Sequence, residues 1–230
     1  MTAYRPSASD ADVARIRSWH DAAYESMRSA GEEVVEYLGL EILVPQGVFG
    51  PTGTSDLLGT VVREEVRETD RVLDMGTGSG INAILAASRS TDVTAVDLNP
   101  AAVAAAAANA ARNGVAERIT FLESDVFAAV RGPFDLMIFD PPFRWFAPRD
   151  LLEASIADEN YGAMTWFLRE AGDHLAQGGR ILMFFGTSGD LDHLYRRIDE
   201  NGFAREIVAS RDLVRQEMTV TYHTLRITRR

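Results

Sequence analysis

The chain contains no cysteine and no lysine, and each absence removes a class of chemistry. Without a thiol there is no cysteine nucleophile, no disulfide bond and no thiolate metal site. Without a lysine amine, Schiff-base catalysis is excluded, because all 23 basic residues are arginines. The four histidines fall in no spacing typical of metal ligands, so we expect no metal centre.

The sequence also lacks long apolar runs and an excess of positive charge. No apolar run approaches the roughly 18 residues that a membrane helix requires, and the N-terminal residues carry no apolar signal segment. We therefore expect a cytoplasmic protein with no membrane partner. The formal net charge of −11 opposes binding to phosphate backbones, so a nucleic acid is a less favoured partner than a small molecule or a protein.

Short apolar segments alternate with helical segments from residue 71 onwards. Continuous apolar strands separated by helices indicate an α/β fold, a doubly wound and mainly parallel sheet covered on both faces. Two β-rich segments at the C-terminal end have no helix between them, so the sheet is expected to close with an antiparallel pair. The predicted parallel strands are residues 71–76, 93–98, 119–124, 135–140 and 180–186.

The residues before this region form an approach segment of a different kind. A helix is expected over residues 9–28, and the alternating sequence of residues 32–45 predicts a hairpin or edge strand. A glycine-rich loop then leads to Ser55, the expected N-cap of a helix that reaches about Arg67.

The stretch DMGTGSG, residues 74–80, follows a strand and opens a helix, where a doubly wound fold binds nucleotide-like ligands. A dinucleotide fingerprint would require Gly or Ala where this chain has Ile81, and Asp74 would crowd a pyrophosphate. A carboxylate suits a cationic group instead, such as an amine or a sulfonium. A nicotinamide-dependent oxidoreductase is therefore disfavoured.

Acids also end the next two predicted strands. Asp97 lies about twenty residues beyond the glycines, where a carboxylate can accept both ribose hydroxyls. Asp125 can accept the exocyclic amine of an adenine, with Val126 packed on the ring. Any one of these acids could simply cap a helix, but three in succession at strand ends favour a ligand.

Taken together, VLDMGTGSG, AVDLNP, SDVF and FDPPF resemble the class I S-adenosylmethionine-dependent methyltransferases, over residues 71–186. The resemblance implies S-adenosylmethionine (SAM) as the cofactor and a Rossmann-like sheet of seven strands with an antiparallel final strand. It also implies two parts, an N-terminal extension of residues 1–68 that covers the pocket and a SAM-binding domain of residues 69–230. The cofactor residues expected from it are Asp74, Gly76, Thr77, Gly78, Gly80, Asp97, Leu98, Asp125, Val126 and Asp140, with Phe49, Thr52 and Thr54 as a cover.

The sequence DPPF, residues 140–143, resembles the N/D-P-P-Y/F motif of amino-group methyltransferases, which include release-factor glutamine and nucleic-acid base enzymes. Asp140 and the carbonyl of Pro141 can each accept one N–H of a planar amine and turn its lone pair toward a methyl group. Phe143 offers a face on which the acceptor can stack. Asp replaces the commoner Asn here, so an ionised side chain can act as a base but cannot donate a hydrogen bond.

The segment after this motif interrupts the alternating pattern and lies where the acceptor should arrive. It forms either a lid and recognition surface or a helix that packs its aromatics on the core. Asp140, Pro141 and Phe143 are the expected catalytic residues. The expected substrate-binding residues are Pro142, Phe143, Arg144, Trp145 and Tyr161.

These motifs predict a SAM-dependent methyltransferase acting on a nitrogen of a small molecule or a protein side chain. A base methyltransferase for RNA or DNA is the first alternative, favoured by DPPF followed by Arg144 and Arg149. A SAM-using enzyme with another outcome, such as cyclisation, is the second. A SAM-binding scaffold without catalysis is the third, although it would have no use for an aimed acceptor. The sequence leaves the oligomeric state open.

Overall fold

A computed structural model describes residues 4–215 and 218–230. The strands are β1 (Glu33–Tyr37), β2 (Leu40–Val44), β3 (Arg71–Met75), β4 (Asp92–Asp97), β5 (Ile119–Glu123), β6 (Phe134–Phe139), β7 (Leu175–Gly186), β8 (Phe203–Arg215) and β9 (Met218–Arg229). The helices are α1 (Asp10–Ser29), α2 (Ser55–Glu65), α3 (Ile81–Ala87), α4 (Pro100–Arg112), α5 (Leu151–Ala154), α6 (Gly162–His174) and α7 (Leu191–Glu200).

The main sheet has seven strands in the order β5-β4-β3-β6-β7-β9-β8. The first five are parallel, and β9 runs antiparallel to both β7 and β8. The central parallel strands β3, β6 and β7 are largely buried because helices cover both faces of the sheet. The expected mainly parallel sheet with an antiparallel final strand is confirmed.

The approach segment folds as expected in outline. Strands β1 and β2 form a hairpin joined by a two-residue turn, and its residues Leu38 and Gly39 both have positive φ, +48° and +85°. The hairpin is joined to α4 by Asn109, whose side chain bonds to both backbone groups of Leu43 at 2.8 Å. The cap expected at Ser55 is wrong by one residue, because Thr54 is the N-cap.

Helix α1 lies over the carboxyl edge of the sheet and is held there by polar contacts. Before the helix, the Ser7 hydroxyl and the Tyr4 hydroxyl donate to Asp190 at 3.1 and 2.9 Å. Within the helix, His20 bonds to Glu153 at 2.7 Å and Tyr24 to Asp150 at 2.6 Å. None of the described helices is long and apolar enough to cross a membrane.

Candidate active site

A cavity of about 790 Å³ lies where β3, β4, β5 and β6 end. The carboxyl ends of parallel strands meet at one edge, so motifs that are far apart in sequence converge there. The expected residues that line the cavity are Gly76, Thr77, Gly78, Asp97, Leu98, Asp125, Val126, Asp140, Pro141, Pro142, Phe143 and Arg144, together with Phe49, Thr52 and Thr54. Asp74, Gly80, Trp145 and Tyr161 are not among the lining residues.

The glycine loop takes a backbone course that side chains disfavour. Gly76, Gly78 and Gly80 all have positive φ, +68°, +54° and +90°. A Cβ at Gly80 would also lie 2.9 Å from the Cα of Ala106, so this glycine lets α3 approach α4. Gly76 and Gly78 therefore present backbone atoms to the cavity, whereas Gly80 lies outside its lining and allows the start of α3 to pack against α4.

Asp97 is oriented by the backbone around it. The Gly78 N–H donates to its Oδ2 and the Asn99 N–H to its Oδ1, each at 2.9 Å. Each oxygen keeps a second lone pair, so the carboxylate can still accept two hydroxyl donors. Burial raises the pKa of Asp97, partly offset by these backbone hydrogen bonds.

The next strand end carries local backbone strain. Val126 has φ +45°, an unusual conformation for a β-branched residue. Ser124 holds the turn, since its hydroxyl donates to the Val126 carbonyl at 2.8 Å and accepts from the Ala129 N–H at 3.0 Å. Strain of this kind is concentrated at functional sites, and here it presents Asp125 and Val126 to the cavity.

Asp140 lines the cavity, and Asp74 is buried behind the cavity lining, near enough for its charge to act on Asp140. Burial raises the pKa of Asp140 to about 7, and the nearby charge of Asp74 adds to the shift. Burial also raises the pKa of Asp74 to about 7, although Thr77 Oγ1 at 2.6 Å and the Ala83 N–H at 3.0 Å bond to it.

The carboxylates at and behind the cavity wall suit a cationic ligand. None of the ion pairs recorded among the described residues involves Asp74, Asp97 or Asp140. A positive charge placed near neighbouring carboxyl groups stabilises their ionised forms. SAM carries such charge on its sulfonium and its amine, so the residues present fit this cofactor.

The Pro-Pro corner places an aromatic face beside Asp140. The Phe143 ring lies 5.1 Å from the ring of Phe185 and 5.6 Å from that of Phe184, between centroids. Tyr161 is fully buried behind the corner and donates to the Phe143 carbonyl at 2.8 Å. Tyr161 therefore holds Phe143 in place without facing the cavity.

The other two expected substrate residues have structural contacts. Trp145 is 8% exposed and packs beside Tyr4 and Phe146, with ring centroids 6.2 and 5.2 Å away. Arg144 lines the cavity, and its guanidinium donates to the carbonyl and the hydroxyl of Ser188, each at 2.9 Å. The segment after DPPF thus packs aromatics on the core while its helix α5 forms part of the cavity wall.

Sequence reasoning placed an N-terminal extension over the pocket but did not identify the apolar residues of one wall of the cavity. This wall is mainly apolar and comes from α1, α5 and the strands β7 and β9. On α1 the residues recur at the i, i+4, i+8 spacing of one helix face, a signal that the sequence does carry. The missed lining residues include Trp19, Ala22, Ala23, Met27, Leu151, Leu152, Ile156, Phe184, Val220 and Tyr222.

Proteins of similar sequence are methyltransferases. The release factor glutamine methyltransferase of Deinococcus radiodurans is 28% identical over 187 residues, which cover 74% of this chain and 66% of that protein. A putative protein N5-glutamine methyltransferase of Methanocaldococcus jannaschii is 27% identical over 194 residues, covering 81% of this chain and 96% of that protein.

The fold is shared with a solved T. thermophilus 16S rRNA N2 G1207 methyltransferase in complex with AdoMet and guanosine. The TM-score is 0.62 at 21% identity, covering 86% of this chain and 50% of the other. A model of the methyltransferase small domain family matches residues 39–198, well over half of the chain. The expected class I methyltransferase fold and its cofactor are confirmed, and the chain belongs to the methyltransferase small domain family.

Proposed function

We propose that this chain transfers a methyl group from SAM to a nitrogen of a small acceptor molecule. The single observation that carries the proposal is the position of Asp140 and Pro141, two acceptors at the end of β6 that line the same cavity as Asp97 and Asp125. The cofactor supplies an electrophilic methyl group when it is bound. The remaining task of the protein is to aim and desolvate the acceptor.

Asp140 and the Pro141 carbonyl would each accept one N–H of the acceptor amine. Proline has no N–H and a fixed φ, so the carbonyl is held rigidly and no donor competes with the substrate. SAM held at Asp97 and Asp125 would supply the methyl carbon of the new N–C bond, and the electron pair of the broken C–S bond would stay on sulfur. Asp140 takes the proton that the nitrogen must lose, which a pKa of about 7 allows at neutral pH.

The apolar wall favours a small acceptor. Helices α1 and α5 contribute Trp19, Met27 and Leu152 to the lining of the cavity that the Pro-Pro corner also lines, so the reacting nitrogen would enter a largely apolar space. A single protein side chain is the next best fit, and two relatives are named for glutamine methylation. Base methylation in RNA is less supported, because the arginines that favoured it are engaged with Ser188 and Glu153.

Calorimetric titration with SAM and S-adenosylhomocysteine tests the cofactor assignment, and we expect saturable binding of both. Incubation with SAM and a panel of small amines should yield S-adenosylhomocysteine by mass spectrometry. Methylthioadenosine instead would indicate a non-methyl outcome. RNA binding that falls steeply with added salt would favour the nucleic-acid alternative. A protein that binds neither SAM nor its product would contradict the proposal.

A further inference from the structure

The apolar wall of the cavity contains a tyrosine that the proposed methyl transfer does not yet use. Tyr222 of β9 lines the cavity together with Val220, which lies two residues earlier on the same face of the strand. The Tyr222 residue is 6% exposed. Its ring is apolar, but its hydroxyl can both donate and accept a hydrogen bond. Tyr222 therefore brings a polar group to a wall that is otherwise mainly apolar.

The Tyr222 hydroxyl can be reached by a ligand. The hydroxyls of Tyr37 and Tyr222 both lack a hydrogen-bond partner among the described residues, but only that of Tyr37 is sealed in the core. The Tyr222 hydroxyl thus keeps accessible surface, and the cavity is the space that this side chain lines. A ligand that covers this wall must replace the hydrogen bonds of water, because a buried polar group without a partner costs free energy.

The ring of Tyr222 is held in one orientation by its neighbours. It stacks on Phe184, with the ring planes 9° apart and the centroids 5.8 Å apart, and its centroid lies 6.1 Å from that of Phe143. Gly186 lies opposite Tyr222 in the sheet, and an added Cβ there would be 2.9 Å from Tyr222 Cδ1 and 3.3 Å from Phe143 Cε2. The three rings form a continuous aromatic surface, which suits a planar molecule.

Asp140 and Tyr222 lie on opposite sides of this aromatic surface. Asp140 follows β6, β7 is the next strand of the sheet, and Tyr222 is on β9 beyond it. Neighbouring strands are about 4.8 Å apart, so the two backbones are separated by about 10 Å. The Asp140 carboxylate, too, accepts no hydrogen bond from the described residues. A ligand that bonds to both groups must span more than one strand spacing, as a ring with two polar substituents does.

We propose that Tyr222 binds the methyl acceptor, its hydroxyl forming a hydrogen bond with a polar group away from the reacting nitrogen. This inference rests on the proposed function. The acceptor is then an aromatic amine with a second hydrogen-bonding group, its amine at Asp140 and its ring on the aromatic surface. Because Tyr222 bonds to the acceptor and exchanges no proton with it, Tyr222 determines which amines bind.

Matched pairs of ring-sized amines test this proposal in the complex with S-adenosylhomocysteine. The three aminophenols carry a hydroxyl group where the three toluidines carry a methyl group of similar size. Calorimetric titration gives the dissociation constant of each amine. The ratio of the two dissociation constants within a pair then isolates the contribution of the ligand hydroxyl group from that of the ring.

Tyr222→Phe removes the protein hydroxyl and keeps the ring. For at least one pair, the affinity of the aminophenol relative to its toluidine should fall about 3- to 10-fold, the value of one neutral hydrogen bond. A purely structural role would weaken both members of a pair alike. Tyr195→Phe is the matched control, because it removes a hydroxyl from a partly buried tyrosine of α7 outside the cavity.

Turnover with SAM gives a second measurement on the same variant. Tyr222→Phe should raise the KM for the preferred aminophenol and leave kcat within a few-fold, because the hydroxyl binds the ground state and the transition state equally. A fall in kcat without a change in KM would contradict a role in binding.

An unchanged ratio for all three pairs in Tyr222→Phe would overturn the proposal, as would equal weakening of both members or a complex that binds none of these amines. S-Adenosylhomocysteine binding is measured first in every protein. Its absence in the unsubstituted protein would contradict the methyltransferase proposal, and this inference with it. Its presence, with an unchanged ratio, would remove only the role of Tyr222.

Discussion

The two halves of the cavity are built in opposite ways. The cofactor half consists of strand-end backbone and carboxylates, with Asp97 held by the backbone N–H groups of Gly78 on the preceding strand's loop and of Asn99 two residues on. The acceptor half consists of apolar side chains from α1, α5, β7 and β9, which are far apart in the sequence. The first half is therefore set by loops at adjacent strand ends, while the second depends on how distant helices dock.

This contrast indicates how the family can vary its acceptors. A strand end that binds SAM tolerates few substitutions, because its glycine turn and its acid contact the same cofactor whatever the methyl acceptor is. A wall made by an added helix can change its side chains without disturbing the sheet. We therefore expect substitutions in the two halves to separate cofactor binding from acceptor turnover.

The largest separation is expected for Asp140→Ala, which removes the acceptor at the boundary of the two halves. Turnover should fall by about 10²- to 10⁴-fold, the usual contribution of a general base. The dissociation constant of S-adenosylhomocysteine should change only a few-fold. Product formation by mass spectrometry and calorimetry measure the two effects, and a variant that keeps its turnover would refute the role of Asp140.

Asp97→Ala is expected to damage the cofactor half first. Hydrogen bonds to a charged group are each worth about 1.5–3 kcal/mol, so the dissociation constant of SAM should rise about 10- to 100-fold. Asp92→Ala is the matched control, because Asp92 lies at the opposite end of β4 and forms a 3.2 Å ion pair with Arg71. Similar SAM affinities in the two variants would argue against ribose binding by Asp97.

Ala23→Trp tests the acceptor half by filling it. Ala23 lines the cavity from α1, so the indole should occupy acceptor space and lower the turnover of small amines about 10-fold. Cofactor affinity should stay within a few-fold. Ala14→Trp adds the same ring at an exposed position of α1 outside the cavity. Unchanged amine turnover in Ala23→Trp would place the acceptor elsewhere.

The smallest expected effect is a pH dependence of stability. Because the folded-state pKa of Asp140 is raised to about 7, the unfolded chain releases this proton more easily and folding becomes weaker as pH rises from about 4 to 7. Asp140→Asn removes that charge. Its melting temperature should exceed that of the unsubstituted protein by roughly 2–6 °C at pH 8, for a gain of about 1–2 kcal/mol.

At pH 4 the two melting temperatures should nearly coincide, because Asp140 is then neutral in the folded protein and only about half ionised in the unfolded chain. Asp92→Asn serves as the control, since that side chain is 61% exposed on its strand. A difference in melting temperature that does not grow between pH 4 and pH 8 would show that Asp140 is not held in an unfavourable charged state.

The sequence predicted the sheet well because its strands are short apolar runs that end on loop signals. Segments such as residues 135–140 match β6 within one residue at each end, since burial on both faces leaves little choice of side chain. The helix cap at Thr54 was missed because Ser55 is an equally good capping type. The Ser55 hydroxyl instead accepts a hydrogen bond from the Thr52 N–H at 2.9 Å.

The sequence pointed to cavity residues where an acid stands at the carboxyl end of a predicted strand, as Asp97 and Asp140 do. It was not predictable for Tyr161 and Trp145, whose aromatic rings serve equally well as a lid or as core. The pairing of His20 with Glu153 was not predictable either, because the two residues lie 133 positions apart in the sequence. Tertiary docking, rather than local pattern, decides such pairs.

The tethering of α1 has a consequence for how ligands come and go. The helix is secured near its beginning through Asp190 and along its middle through Glu153 and Asp150. Its far end runs into residues 30–32, which are exposed and leave Gly31 without neighbours within 4 Å of an added Cβ. Because Met27 near this far end lines the cavity, we expect the cavity to open more readily there than at the end of α1 that is held through Asp190.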